Sequence, residues 1–420
     1  MKRAFHFFSG DGSNLPMALR LQREGHPVTL HVKSDVARFT GKGLVPFAKE
    51  PPDGAIVIFD CTGEGPRGTA YRKAGHLVIG GNPFDRPLEL NRPEGARIAR
   101  RAGMVAPPTY PFGDIPSALR FLRKNNARWF VKVSGDGIEM DTYDAPDSEF
   151  MARYLKYVQE KAQVKPFVLQ QKVEGTEVSC NGWFNGQEFI GPFDVTLEEK
   201  KQMAGDLGCR TGCESNVVWH AQDDKLADKT VGLIEDVLAE EGYVGPIDIN
   251  SIIDAEGTPY FLEFSARLGF DATQAWMRLI PEGELGEQLD AFVSGELDRW
   301  EPTGDLSATL RLSIPPYPNW DKKMVSKTQG LPLDYAILGD EWIDPVDVMQ
   351  GPESAGAGGL VCTVGAKGVS INGLRKEMLS RAEILEIPDK QYRNDPLSRV
   401  PRDMQALESL GYLGFTGWKA

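Results

Sequence analysis

The stretch Phe261-Leu262-Glu263-Phe264-Ser265-Ala266-Arg267-Leu268-Gly269 alternates apolar and polar side chains from Leu262 to Leu268. This alternation predicts a β-strand with one buried face, because successive strand side chains point to opposite faces. Glu263 and Ser265 therefore share one face, and Arg267 continues the same alternation. The sequence predicts a strand that presents a carboxylate, a hydroxyl and a guanidinium on one side.

A second strand precedes this one and forms a hairpin with it. The turn Asp254-Ala255-Glu256-Gly257 separates apolar runs at 247–253 and 260–264, which is typical of a hairpin. Oxygen atoms from two adjacent strands can converge on Mg²⁺ or Mn²⁺ shared with substrate phosphates. Polar strand residues also occur as hydrogen-bonded structural groups, and the residues alone leave both interpretations open. The candidate metal ligands are Glu263, Ser265, Asp248 and Asn250.

The first hundred residues predict a parallel sheet. Apolar runs at 4–8, 28–32, 55–59 and 76–79 alternate with helical patterns, as in sheets covered by helices on both faces. Ligands of such sheets bind beyond the carboxyl ends of the strands, which places the loops 9–14, 60–65 and 80–85 at a binding edge. The pair Gly10 and Gly12 fits either a phosphate-binding turn or an ordinary tight turn.

The rest of the chain predicts a multidomain protein of the α/β and α+β classes. A Pro-rich segment at 107–116 is predicted to be a linker. Further strands are predicted at 129–133, 167–171, 308–314 and 359–364, and helices at 228–241 and 373–384. We predict an N-terminal parallel-sheet domain over 1–106, a central domain over 107–303 with a lid subdomain at about 118–180, and a small mixed C-terminal domain over 304–420.

Composition limits the class of partner. The chain has 420 residues, of which 41% are hydrophobic and 25% charged, and its net charge is −13. It has no apolar run long enough for a membrane span. The negative charge disfavours a nucleic-acid partner and leaves one open. Five scattered cysteines fit a reducing, cytoplasmic setting, and the close pair Cys209 and Cys213 lacks the further ligands that a zinc site needs.

Five segments, in order along the chain, resemble the phosphoribosylamine–glycine ligase family of the ATP-grasp superfamily. Tyr260–Gln274 is similar to that family's LEFNARFGDPETQ, and 205–213 to its DGDKGPNTGG loop. The segment 167–179 resembles the nucleotide-clamp strand, 88–104 resembles a helix of the family, and 387–395 has its closing YRxD spacing. The resemblance implies a pre-ATP-grasp domain followed by an ATP-grasp domain, with ATP and Mg²⁺ (or Mn²⁺) as cofactors.

The resemblance also implies roles for individual residues. Lys132 would reach the ATP phosphates, and Arg267 would stabilise the transferring phosphoryl group, which makes these two the catalytic candidates. Glu263 would be the first metal ligand, and Ser265 stands where the family has Asn. The implied ATP-binding residues are Lys132, Gln170, Gln171, Lys172, Val173, Glu177 and Arg92, and the substrate-binding residues are Arg210, Asp206, Gly12 and Arg267.

Departures from the family fall in the acceptor and lid segments. The phosphate loop at 132–139 is short and lacks the second lysine, Arg210 replaces Asn, and Cys213-Glu214 replaces Gly-Met. Gly269-Phe270-Asp271-Ala272 replaces Gly-Asp-Pro-Glu. An Asn-to-Arg exchange adds a positive charge and a planar fork, which suggests a changed substrate.

The implied activity is an ATP-dependent ligase of purine synthesis that joins a carboxylate to an amine through an acyl phosphate. Its partners would be an amino acid and an amine, phosphoribosylamine among them, and the chain would be a monomer or homodimer. Two alternatives stay open. One is a ligase of the same fold that attaches an amino acid to a modified nucleotide or DNA base, and the other is a non-catalytic nucleotide-binding relative.

Overall fold

A computed structural model describes residues 2–133, 143–161, 166–318 and 322–413. The N-terminal part is a four-stranded parallel sheet with the strand order β2-β1-β3-β4, which confirms the parallel sheet predicted from the sequence. Its strands are β1 (Phe5–Ser9), β2 (Val28–Val32), β3 (Ile56–Phe59) and β4 (Val78–Ile79).

Of the three α-helices in this part of the chain, the first two pack against the N-terminal sheet and the third packs into the core of the large sheet described below. They are α1 (Leu15–Arg23), α2 (Gly65–Lys73) and α3 (Arg92–Arg101), with a π-helical turn at Arg86–Leu90 before α3. Leu15, Ala18 and Leu21 of α1 are fully buried in the same apolar cluster as Phe5 and Phe7 of β1.

A second, smaller unit is built on four strands in the order β5-β8-β6-β7. The strands are β5 (Thr109–Phe112), β6 (Trp129–Val133), β7 (Tyr143–Asp144) and β8 (Phe167–Gln171). Helices α4 (Ile115–Leu122) and α5 (Ser148–Lys161) pack on it and share its core with Trp129 and Phe167. This unit runs from 109 to 171, whereas the predicted lid subdomain was 118–180.

The largest element is an eight-stranded antiparallel sheet with the order β13-β12-β9-β10-β11-β14-β18-β15. Its strands are β9 (Thr176–Phe184), β10 (Phe189–Met203), β11 (Leu207–His220), β12 (Gly245–Ile253), β13 (Pro259–Ser265), β14 (Leu306–Ser313), β15 (Ile343–Pro345) and β18 (Leu360–Gly368). The sheet continues across residue 303, where the sequence predicts a domain boundary. The proposed domain limits stay a prediction.

The remaining elements flank the large sheet. They are the two-stranded ribbon β16 (Val348–Met349) and β17 (Glu353–Ser354) and the helices α6 (Glu235–Glu240), α7 (Ala272–Leu279), α8 (Leu285–Ser294), α9 (Lys322–Val325), α10 (Ala336–Gly339), α11 (Ile371–Ile384) and α12 (Val400–Ser409). Helices α7 and α8 bury their apolar faces in the cluster that contains β1. Throughout the ranges described above, no helix is long and apolar enough to cross a bilayer.

The single helix predicted at 228–241 is wrong as one element. The structure has 3-10 turns at Ala227–Lys229 and Val231–Ile234, and only Glu235–Glu240 is α-helical. Thr230 adopts φ −133° and ψ −102°, which interrupts the helix, and its hydroxyl donates to the Leu226 carbonyl at 2.6 Å. The apolar positions predicted for this segment are buried: Val231, Ile234 and Leu238 all lie in the core.

Candidate active site

A cavity of about 830 Å³ lies between the small sheet and the large sheet. The small sheet contributes β6, β7 and β8, and the large sheet contributes β9 to β14. The residues predicted from the sequence that line this cavity are Arg92, Lys132, Gln170, Gln171, Val173, Glu177, Arg210, Asp248, Asn250, Glu263, Ser265 and Arg267. The structure therefore brings most of the predicted set to one place.

The predicted metal ligands lie in two rows across the hairpin of β12 and β13. Asn250 is opposite Glu263, and Asp248 is opposite Ser265. Arg92 donates to Glu263 Oε2 at 2.6 Å. Asn250 Nδ2 donates to Glu177 Oε1 at 3.0 Å, while its buried Oδ1 has no hydrogen-bond partner among the described residues. An unpaired buried amide oxygen beside a carboxylate is a suitable pair of ligands for a hard cation.

Glu263 and Asn250 could bind Mg²⁺ only together with oxygen atoms of a bound substrate. Across the described ranges, no group of three or more His, Cys, Asp or Glu side chains could hold a metal ion unaided. Mg²⁺ in phosphate-transferring sites uses one or two carboxylates together with phosphate oxygens and water. Glu263 and Asn250 meet that requirement.

Lys132 on β6 faces this hairpin from the small sheet. Burial lowers the pKa of Lys132 to about 8, although the nearby Glu263 carboxylate opposes the effect. Burial alone would raise the pKa of Glu263, but Arg92, Lys132 and Lys200 outweigh it and hold this pKa well below its usual value. Cations from three elements thus surround one ionised carboxylate.

Lys200 is a cavity residue that the sequence prediction missed. It lies on β10, and its Nζ is 2.6 Å from Glu177 Oε1 and 3.4 Å from Glu198 Oε2. Burial opposes charge on both partners, but the Lys200 ammonium lowers the pKa of Glu177 to about 2, and the carboxylates raise the pKa of Lys200. In sequence, Glu198-Glu199-Lys200-Lys201 resembles a solvated charge run, and only the strand pairing shows that it faces a cavity.

The end of the cavity beside Gln170, Gln171 and Val173 is partly aromatic. Tyr143 stacks on Tyr154 with ring centroids 4.1 Å apart, and both line the cavity. Lys172 lies outside the lining, and its Nζ pairs with Asp144 Oδ2 at 3.3 Å. The backbone at the edge of β8 and the two tyrosine rings form an environment suited to a planar nucleotide base.

Arg267 lies at the opposite end of the cavity, just after β13. Its Nε donates to Glu89 Oε1 at 3.0 Å, and its guanidinium lies 4.4 Å from the centre of the Phe270 ring. Arg210, on β11, lies 5.7 Å from the ring of Phe130 on β6. Arg210 therefore reaches across the cavity from the large sheet to the small one.

Two predicted substrate residues lie away from this lining. Asp206 accepts from Arg393 at 3.1 Å at the outer end of the β10–β11 hairpin. Gly12 has φ +87°, and its amide donates to Ser9 Oγ at 2.7 Å. A side chain at Gly12 would collide with Thr40. The roles of Lys172, Asp206 and Gly12 stay predictions, and residues 134–139 of the short phosphate loop lie outside the described residues.

Arg311 on β14 is another cavity residue that the sequence prediction missed. It is 6% exposed and forms an ion pair with Asp271. Its Nη1 donates to the Thr211 carbonyl and to the Tyr317 hydroxyl, each at 3.1 Å. Asp271 has φ +60° although it is not glycine. Arg311 therefore links the two segments in which the sequence departs from the family, and no short motif around it indicates this role.

Comparison with known sequences supports the resemblance. A phosphoribosylamine–glycine ligase of Thermotoga maritima is 27% identical over 279 residues, which are 60% of this chain and 66% of the relative. The corresponding ligase of Vibrio parahaemolyticus is 23% identical over 379 residues, which cover 84% of this chain and 85% of the relative. No family model matches the chain.

Solved structures agree on the fold. The crystal structure of the Thermotoga maritima phosphoribosylamine–glycine ligase has a TM-score of 0.69 at 19% identity, and the alignment covers 94% of this chain and 100% of that one. The biotin carboxylase domain of Hydrogenobacter thermophilus 2-oxoglutarate carboxylase, crystallised with magnesium ADP, has a TM-score of 0.63 at 12% identity and covers 96% and 98%. In its ordered motifs, these alignments and its fold, the chain is similar to the phosphoribosylamine–glycine ligases.

Proposed function

We propose that this chain is an ATP-dependent ligase that activates a carboxylate as an acyl phosphate and joins it to an amine. The observation that carries the proposal is the cavity between the two sheets, where Lys132 and Lys200 approach from opposite sides and Glu263 and Asn250 lie between them. Charge neutralisation and positioning account for most of the catalysis in phosphoryl transfer. This arrangement supplies both.

The reaction proceeds in two steps. A carboxylate oxygen attacks the γ-phosphorus of ATP, the bond to the β-γ bridging oxygen breaks, and ADP leaves. The amine nitrogen then attacks the acyl carbon, phosphate leaves, and the nitrogen loses a proton as the amide forms. Lys132, Lys200 and Arg267 are placed to stabilise the negative charge that moves between these oxygens.

Mg²⁺ would be held by Glu263 and Asn250, with Asp248 and Ser265 as further predicted ligands, and it would neutralise the phosphate oxygens. Glu177 holds both Lys200 and Asn250 by hydrogen bonds, so its carboxylate orients two groups of the site. The predicted ribose contact of Glu177 stays part of the proposal, as do the adenine contacts of Gln170 to Val173.

The substrates belong to the same proposal. The relatives are named for phosphoribosylamine and glycine, which makes an amine and an amino acid the first candidates here. The end of the cavity where the amino acid and the amine would meet is lined by Arg210, Phe270 and Arg311. The first two of these residues lie in segments that depart from the family. We therefore propose the ligase chemistry without assigning phosphoribosylamine as the acceptor. A cytoplasmic location and a monomer or homodimer are inferred from composition and from the family.

Hydroxylamine tests the activity without the natural acceptor, because it converts an acyl phosphate to a hydroxamate. The purified chain is incubated with Mg-ATP, hydroxylamine and each of a panel of amino acids, and ADP and hydroxamate are quantified. We expect equal amounts of both products with at least one amino acid. A panel in which no carboxylate stimulates ADP release would show that the ligase proposal is wrong.

The Glu263→Gln variant provides the matched test of the site. It keeps the shape of the side chain but removes the charge that Arg92, Lys132 and Lys200 surround. We expect hydroxamate formation to fall on the order of 100-fold, with the folded state retained by circular dichroism. Unchanged hydroxamate formation in Glu263→Gln would remove Glu263 from the proposed metal site.

A further inference from the structure

The glycine-containing loop after β1 is closed by a buried carboxyl group. Asp60, which follows β3, is 2% exposed, and its Oδ1 accepts from the Gly10 amide at 2.9 Å. Its Oδ2 accepts from the Ser9 hydroxyl, and the Asn14 amide also donates to this carboxyl group. The loop before α1 therefore binds Asp60 in the way that helix N-termini bind anions.

Further amides of this loop are also bonded within the chain. The Gly12 amide donates to Ser9 Oγ at 2.7 Å, and the Ser13 amide donates to Asp11 Oδ1 at 3.0 Å. The Leu15 amide donates to the Gly12 carbonyl at 3.0 Å. In phosphate-binding loops such amides point at the phosphate oxygens instead. A phosphate group would therefore have to displace hydrogen bonds that the chain already makes.

Packing explains both glycines of the loop. A side chain at Gly12 would collide with Thr40, and one at Gly10 would lie 3.0 Å from Cys61 Cβ. Neighbouring side chains thus occupy the space that a phosphate-binding glycine leaves for its ligand. Of the two interpretations that the sequence leaves open for Gly10 and Gly12, these contacts support the ordinary tight turn.

The loop adjoins the substrate end of the cavity. Gln274 of α7 donates to the Ser13 carbonyl at 3.4 Å, and the same helix lines the cavity. Burial opposes the charge of Arg267, but nearby carboxylates, those of Asp11 and Asp60 among them, raise its pKa. Ligands of parallel sheets bind at this edge. An acceptor that extends from Arg267 toward the sheet therefore meets the carboxylates of the loop.

The charges at this edge also disfavour a phosphate group. Lys33 Nζ is 2.5 Å from Glu64 Oε1, and Arg267 Nε is 3.0 Å from Glu89 Oε1, so both cations already have carboxylate partners. Burial raises the pKa of Asp60 to about 6, which leaves the carboxyl group ionised at neutral pH. A phosphate dianion beside it would meet like charge, and such contacts suppress binding.

We propose that the amine acceptor carries no phosphate group, because the Asp60 carboxylate takes the place of a phosphate in the loop after β1. The inference rests on the proposed ligase function and gives its acceptor a chemical class, an unphosphorylated amine. This class differs from the phosphoribosylamine for which the relatives are named. Asp60 determines specificity by excluding a phosphate and contacts no reacting atom.

The first test compares acceptors that differ only in a phosphate group, in the absence of hydroxylamine. Ribosylamine is paired with 5-phosphoribosylamine, each formed in place from ammonia and the sugar or sugar phosphate, and ethanolamine is paired with phosphoethanolamine. The donor is the amino acid that gives the most hydroxamate, and the amide is quantified by mass spectrometry. We expect kcat/KM to favour the unphosphorylated member of a pair by about tenfold or more. Equal use, a preference for the phosphorylated member, or a panel in which no unphosphorylated amine is used would overturn the proposal.

The second test measures the loop itself and needs no turnover. Binding of inorganic phosphate is measured by isothermal titration calorimetry, with Mg²⁺ and a non-hydrolysable ATP analogue present to fill the nucleotide end of the cavity. Asp60→Gly empties the position of the carboxyl group, Asp60→Asn keeps it filled, and Asp53→Gly at an exposed position is the control. We expect Asp60→Gly to bind phosphate about tenfold or more tightly than the wild type and the other two variants. Asp60→Ser replaces Asp60→Gly if circular dichroism shows that Asp60→Gly is not folded.

Phosphate binding by the wild type as tight as that of Asp60→Gly would overturn the proposal. The absence of a gain in the folded variant would do the same, because Asp60 would then not be what excludes phosphate. If no carboxylate gives ADP and hydroxamate, the ligase proposal fails instead, and a gain of phosphate binding in Asp60→Gly would still show that Asp60 fills the loop.

Discussion

At the scale of single residues, Lys200 shows how the site depends on paired charges. Its ammonium contacts Glu177 and Glu198, and Glu177 in turn accepts from Asn250. Removing the cation would leave two carboxylates facing each other and would repel the phosphates of ATP. Lys200 therefore contributes both to the order of the site and to its charge.

We expect the Lys200→Met variant to lose on the order of 100-fold in kcat/KM for ATP, because one preorganised cation at the phosphates is lost. Steady-state ADP release at several ATP concentrations measures this change. Lys156→Met, on the exposed side of α5, removes a lysine outside the cavity and is the matched control. Equal losses in both variants would contradict a specific role for Lys200.

The sequence predicted the hairpin of β12 and β13 at this scale but not all the residues of the candidate site. The two-residue alternation placed Glu263 with Ser265 and Asp248 with Asn250, and the structure has this arrangement in β12 and β13. Lys200 was missed because its burial comes from distant strands and from the small sheet, which leave no trace in the local pattern.

At the scale of elements, the loop after β1 is closed by a buried carboxyl. Asp60 accepts from the Gly10 amide at 2.9 Å and from the Ser9 hydroxyl. Burial, reinforced by Asp11, raises the pKa of Asp60 from 3.8 to about 6 despite these hydrogen bonds. The folded chain therefore holds this proton more tightly than the unfolded chain does.

Stability from this proton is present at low pH and is lost as pH rises from about 4 to above 6. The pKa difference corresponds to about 3 kcal/mol. We expect Asp60→Asn, which cannot ionise, to gain about that much relative to the wild type between pH 4 and pH 7. Urea unfolding of both proteins at several pH values measures this gain. A difference between them that is independent of pH would contradict a raised pKa at Asp60.

The β10–β11 hairpin is held by a buried arginine from the C-terminal segment. Arg393 is 1% exposed, and its Nε donates to Asp395 Oδ1 at 2.9 Å. Its Nη1 donates to the Lys201 carbonyl at 3.0 Å and to Asp206 at 3.1 Å. Arg393 therefore joins the YRxD segment to the hairpin that carries Lys200 and Arg210.

We expect Arg393→Met to lower the free energy of unfolding by about 3–5 kcal/mol. The change leaves the buried Glu199 carboxylate, 3.7 Å from Arg393 Nη2, and the half-buried Asp206 and Asp395 without their cation. The surface change Arg402→Met should cost less than about 1 kcal/mol, since the Arg402 side chain is 74% exposed. Chemical denaturation followed by circular dichroism compares the two variants. Similar losses in both would show that Arg393 is not an anchor of the hairpin.

At the scale of the whole molecule, the eight-stranded sheet joins the central and C-terminal parts, which the sequence predicts as separate domains. Strand β14 pairs with β11 through Ser215 to Val218, and all eight residues of β14 are buried. The predicted boundary at 303 falls just before β14, whereas the pairing of β14 with β11 joins residues about 90 positions apart. Local patterns predicted β14 but not β11, whose first residues resemble a loop of the family, and they carry no information on long-range partners.

This continuity explains how the C-terminal part reaches the cavity. Arg311 of β14 contacts Asp271 and the Thr211 carbonyl, so the segments that differ from the family are joined by a residue beyond the predicted boundary. Under the proposal, Arg311, Asp271 and Thr211, which come from three different segments, lie at the end of the cavity where the substrates would meet. The activity proposed for the molecule rests on both ends acting on one acyl phosphate.

The most direct test of that claim follows one oxygen atom. The amino acid that gives the most hydroxamate is prepared with ¹⁸O in its carboxylate and incubated with Mg-ATP and hydroxylamine, and the released phosphate is examined by mass spectrometry. If the carboxylate attacks ATP, one ¹⁸O atom appears in the phosphate for each hydroxamate formed. Phosphate without ¹⁸O, at the same yield of ADP, would contradict an acyl phosphate and with it the proposed ligase mechanism.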